Sequence, residues 1–182
     1  MGNYAYKSYN EKWGYSGTLF SVFLDTNGDG TGTKNAIGDY SSAEEIFYSQ
    51  PTSPKVVRLT RLIVCVEDDS PFRMDHYGKN IGLTNGIVVR VKSDSGVTMN
   101  LTDDDFKIKT NAGWAQYCYD AEIFNVGSGN DFLKVRWDFL QMGYPIKVGG
   151  SENYRLEVVL NDDFTGLAGH TFLAQGYYEK KA

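Results

Sequence analysis

Apolar and polar residues alternate with a period of two in a series of short runs. The clearest are residues 56–67 (VVRLTRLIVCVE), 87–92 (IVVRVK), 133–140 (LKVRWDFL), 154–160 (YRLEVVL) and 170–178 (HTFLAQGYY). Each is rich in β-branched or aromatic residues and bounded by turn formers, which is the signature of a half-buried strand. No stretch sustains apolar residues at the helical i, i+3, i+4, i+7 spacing. Residues 18–24, 97–101 and 115–126 read as further strands, with a short edge strand around Ile146. Residues 43–49 fit either a short helix capped by Ser41 and Ser42 or an edge strand, and 68–80 a loop with a short turn of helix. Within 154–160, Tyr154, Leu156, Val158 and Leu160 are expected to face inward, Arg155 and Glu157 outward. The second half of 56–67 is apolar on both faces, which predicts a central strand covered on both sides. About eight main strands with several long connections and no internal repeat predict an all-β fold, a jelly-roll-like antiparallel β-sandwich. An extended N-terminal arm is expected over residues 1–17 and a single β-sandwich domain over 18–182.

Composition sharpens this picture. The 182 residues are 41% hydrophobic and 23% charged, enough for one domain with a full core. Twenty Gly against four Pro point to many tight turns. The net charge of −5 and pI near 5.0 disfavour nucleic acid and anionic membranes as partners. No apolar run is long enough to span a bilayer, and residues 1–9 lack the apolar core of a secretory leader. Cys65 and Cys118 lie in apolar strand-like runs and are expected as buried thiols, with a mutual disulfide as the lesser alternative. Two cysteines without C-x-x-C spacing do not make a zinc site.

Candidate chemistry is sparse. Residues 25–31 (DTNGDGT) match the first half of a calcium loop, with Asp25, Asn27, Asp29 and Thr31 as alternating oxygen donors and Gly30 at the sharp turn. Position 12 of such a loop is Ala36, where a bidentate Glu belongs, and the run follows a strand. An Asx-rich loop closed by its own hydrogen bonds is therefore favoured, with calcium as the alternative and no other cofactor expected. The acidic runs at 67–69, 103–105 and 162–163 read as solvated loops. His76 and His170 are the only histidines, and no G-x-S-x-G elbow accompanies them. A glycosidase would need two close carboxylates from strand residues such as Glu67, Glu122 and Glu157. No enzyme is expected. Trp137 sits in a period-two run as core. Trp114 follows Gly113 at a strand entrance and is the candidate carbohydrate-stacking residue, with Tyr177 and Tyr178. Tyr4, Tyr6, Tyr9, Trp13 and Tyr15 crowd the arm and are candidate interface residues, packing on the same domain or on a neighbour.

At residues 23–40 (FLDTNGDGTGTKNAIGDY), 83–88 (LTNGIV), 108–114 (IKTNAGW) and 160–167 (LNDDFTGL) the chain resembles small virion structural proteins of tailed bacteriophages. The likeness extends over most of 18–178. It implies a non-enzymatic particle component, first a capsid decoration (cement) protein and second a tail accessory protein. Such proteins are often jelly rolls that form trimers or other rings. The major capsid protein or other virion proteins would be its partners, and the virion, assembled in the bacterial cytoplasm, its location. The resemblance carries over no catalytic residue. A carbohydrate- or host-receptor-binding β-sandwich module is the alternative from a different class.

Overall fold

The alternation in the sequence becomes alternation in burial. In β11 (Arg155–Leu160), Leu156, Val158 and Leu160 point into the core, and in β9 (Asp131–Asp138), Leu133, Val135 and Trp137 do the same. The structure is a computed structural model and describes residues 15–31, 35–68, 73–102, 107–125 and 131–179, without the side chains of 15–18, 124 and 125. Tyr4, Tyr6, Tyr9, Trp13 and the ring of Tyr15 therefore lie outside the described residues, as does the acidic run 103–105.

The remaining elements, in chain order, are β1 (Tyr15–Phe23), β2 (Glu45–Ser49), β3 (Val56–Asp68), β4 (His76–Tyr77), β5 (Asn80–Ile81), β6 (Val88–Lys92), β7 (Thr98–Asn100), α1 (Asn111–Tyr117), β8 (Asp120–Asn125), β10 (Ile146–Gly149) and β12 (Gly169–Glu179). One sheet has the order β1-β12-β3-β9-β8, with β10 pairing the first half of β3 beside β9. The second has the order β2-β11-β6-β7, and β4-β5 form a small ribbon. All pairs are antiparallel. Among the principal strands the pairing is nested: β1 with β12, β2 with β11, β3 with β9, β6 with β7. The fold is thus an all-β antiparallel sandwich. The two sheets share one core, and Phe47 of β2 meets Phe172 of β12 across it with ring centroids 5.7 Å apart.

β3 is central, as its sequence predicts, but it is not covered on both faces. Its outer residues Ile63 and Cys65 are only half-buried. Its inward set switches from Val57 and Leu59 to Leu62, Val64 and Val66 because a bulge against β12 shifts the register between Gln175 and Gly176. Gly176 is needed there, since a Cβ would sit 2.0 Å from the Arg58 carbonyl oxygen. β1 begins at Tyr15, inside the span expected as an arm.

A second departure concerns residues 115–126, whose first part is helix rather than strand. Thr110 caps α1, its hydroxyl accepting from Gly113 N, and Asn111 donates to the carbonyls of Arg73 and His76. Trp114 then packs edge-on against Trp137 at 6.5 Å, closing one end of the sandwich. A helix this short draws its stability from such tertiary contacts, not from its own propensity. Residues 43–49 resolve to the strand β2 in their second part.

Candidate functional site

The loop carrying Asp25, Asn27, Asp29 and Thr31 is closed by its own hydrogen bonds. Asp25 is 1% exposed, and its Oδ1 accepts from Asn27 N at 3.1 Å and Gly28 N at 2.5 Å. Asp29 Oδ1 accepts from both the backbone and the hydroxyl of Thr31, at 2.8 and 2.7 Å. The same turn, with one carboxylate oxygen accepting from both the backbone and the hydroxyl, recurs at Asp39 with Ser41 and at Asp163 with Thr165. These carboxylates serve as turn locks, because an Asx side chain mimics a backbone acceptor two residues on. Among the described residues no three His, Cys, Asp or Glu side chains gather as a metal set. Gly28, at φ 73°, lets the loop press onto β2, where a Cβ would lie 2.0 Å from the Tyr48 ring. Tyr48 donates to the Asn27 carbonyl at 2.9 Å.

Trp114 is not an exposed platform. It is fully buried, and its Nε1 donates to the Tyr77 hydroxyl at 2.5 Å. The helix turns this ring inward, so the expectation that it stacks on sugars is overturned. Tyr177 is 8% exposed, while Tyr178 is half-buried and meets Phe20 edge-on at 5.6 Å.

The strand carboxylates do not converge. Glu122 pairs with Lys134 at 3.7 Å on the first sheet, and Glu157 lies on the second. Glu157 faces outward as predicted, yet it is buried, with Arg155 Nε at 2.5 Å and Arg90 Nε at 2.6 Å. Burial by itself would raise its carboxyl. The hydrogen bonds and charges of Arg155 and Arg90 outweigh that and hold it below the usual carboxylate range. Arg155 extends the network to Asp94 at 3.3 Å and lies over the Tyr48 ring at 5.5 Å. His170 is fully buried among Phe172, Phe164 and Tyr77, with centroids at 4.4, 5.8 and 6.1 Å. Neither ring nitrogen has a partner among the described residues, and burial pushes its pKa down to about 3. Cys65 and Cys118 are free thiols, and burial pushes both upward.

The surface with the clearest interaction chemistry is a groove of about 390 Å³ where the two sheets part. Its floor is Val91 of β6 and Ile146 of β10, each 5% exposed and part of the core. Its walls include Val97, Met99 and Tyr144, which are 54%, 37% and 62% exposed. Leu140 and Met142, in the turn leading to Tyr144, are exposed as well. β7 is the edge strand of its sheet, so a wall of the groove is also an edge for strand addition. The sequence reading missed this site. Its one local signal is the apolar alternation Val97, Met99 in a short run that follows the 93–96 turn. Tyr144 joins it only through the pairing of β10 with β3.

No protein-family model, curated protein or solved structure matches the chain.

Proposed function

We propose that this protein is a non-enzymatic assembly component of a bacteriophage particle, with capsid decoration as the primary role and a tail accessory role as the alternative. The observation that carries the reading is the apolar groove at the β7 edge. Large side chains stand exposed around an opening into the core, which is the chemistry of a contact surface. The nested sandwich supports it by giving a rigid frame, and the resemblance of residues 23–40, 83–88, 108–114 and 160–167 to virion proteins suggests the setting. In this reading the groove receives a second copy of the chain or a capsid subunit, and copies form a ring, a trimer in the first instance.

Light scattering on the purified chain should give a discrete oligomer, and Met99→Asp combined with Tyr144→Asp should reduce it to monomers without loss of fold. Purified particles should contain the chain at a copy number that is a multiple of that oligomer. A wild-type monomer that is absent from particles would overturn the proposal.

A further inference from the structure

A second cavity, of about 280 Å³, lies between the 25–30 loop, the β2–β3 turn and the ends of β1 and β12. It shares no residue with the apolar groove. One wall is aromatic, formed by the edge-to-face pair Phe20 and Tyr178, and the Lys55 ammonium lies 5.7 Å from the Tyr178 centroid. The facing wall is polar, with Asn27, Asp29, Thr52 and Gln50, whose Nε2 donates to the Asn153 carbonyl at 3.5 Å. The side chains of Asn27 and Thr52 and the ammonium of Lys55 make no hydrogen bond to another described residue. Among the described residues Asp29 engages only one carboxylate oxygen, in its turn with Thr31.

This wall is held in place from behind. Asp25 clamps the loop from its buried side, Tyr48 holds the Asn27 carbonyl, and Gln50 N donates to the Gly28 carbonyl at 3.4 Å. The loop that reads as half a calcium site is thus a rigid wall that leaves its outward amide and carboxylate available. Such fixed placement lowers the ordering cost of binding.

We infer that the cavity binds one neutral sugar unit. Amide and hydroxyl groups that donate and accept suit the vicinal hydroxyls of a pyranose. The aromatic pair suits its C–H face. A phosphate or nucleotide fits less well, because Lys55 is the single cation among the described lining residues and Asp29 opposes it. A purely apolar ligand would leave the Asn27 amide and the Thr52 hydroxyl unpaired. The inference goes beyond the assembly reading and does not depend on it.

The test is an amide-resolved NMR titration of the full chain with glucose, galactose, mannose and N-acetylglucosamine, each to about 50 mM, and with inorganic phosphate as the anionic probe. At least one sugar should produce saturable shifts at the amides of Asn27, Gly28 and Thr52, with a dissociation constant of about 1 mM, the range expected for so small a ligand. Asn27→Ala and Gln50→Ala, with unchanged melting temperatures, should each weaken binding about tenfold. Tyr144→Ala in the apolar groove should leave it unchanged, which separates this site from the assembly surface. No shift at these amides with any of the sugars would overturn the inference. So would a stronger response to phosphate, or shifts that survive both cavity variants.

Discussion

Acid should weaken this fold through His170 before it reaches most carboxylates. The imidazole sits among three rings, with both nitrogens unpartnered among the described residues, so the neutral form is the one the core accepts. Its pKa falls from the ordinary 6.5 to about 3. Above pH 6.5 the ring is neutral in folded and unfolded chains, and it contributes no pH dependence. Below that value the unfolded chain takes up a proton that the folded chain refuses, so stability falls with pH from about 6.5 towards 3. At pH 5 the loss is about 2 kcal/mol, from one and a half pH units at about 1.4 kcal/mol each. This value is the same for any folded pKa well below 5. It is a large fraction of a typical total of about 5–15 kcal/mol. Urea unfolding followed by the fluorescence of buried Trp114 and Trp137 would measure it. The wild-type midpoint should drop by about 1 M between pH 7.5 and pH 5, taking a slope near 2 kcal/mol per M. His170→Leu should remove most of that drop. It should also cost little at pH 7.5, because it replaces a polar ring without partners by an apolar group. His170→Phe provides a second variant with a ring of similar shape. Equal pH losses in the wild type and in a folded variant would refute the reasoning.

Two further predictions concern buried carboxylates. Glu157→Ala leaves Arg90 and Arg155 facing each other on a covered sheet surface and should cost about 3 kcal/mol in urea unfolding. Asp120→Ala, which breaks the far more exposed pair with Arg136, should cost less than about 1 kcal/mol. Because Glu157 is held below the usual carboxylate range, its contribution should be fully present at neutral pH and be lost progressively as pH falls below the ordinary carboxylate value of 4.5 towards that lowered value, overlapping the acid end of the His170 window. Asp162 is 6% exposed and accepts from the backbone N–H groups of Thr84, Asn85 and Gly86. Asp162→Ala should therefore cost about 3 kcal/mol, and hydrogen exchange at those three amides should accelerate beyond the global change. Unchanged protection at Thr84–Gly86 would refute the anchoring role.

The candidate sites show how far local pattern reaches. Asp25 and Asp29 carry the oxygen spacing of a cation loop, yet in the fold Asp25 turns its carboxylate to its own backbone, Asp29 spends Oδ1 on the turn with Thr31, and the loop acts as a wall for the cavity by Lys55. Trp114 reads as an entrance to a strand because Gly113 precedes it. The two-turn helix that turns it inward depends on Asn111 reaching the carbonyls of Arg73 and His76, about 35 residues away, which no local window contains. The free Val97 and Met99 look like an ordinary hairpin end until β10 brings Tyr144 beside them.

Taken alone, the amino-acid order determined the fold class, most of the strands and much of the core. Side chains alternate across a strand, so a period-two pattern states locally which residues of β6, β9, β11 and β12 turn inward. It also announced the turns, because Gly and Asp at given spacings encode them. Only the tertiary structure decided which carboxylates are buried, where the sheets part and which aromatic rings reach solvent. Those outcomes depend on the register of strands far apart in the chain. Arg90 meets Glu157 only because β6 pairs with β11, and the apolar groove exists only because β7 and β10 end on the same side of the sandwich.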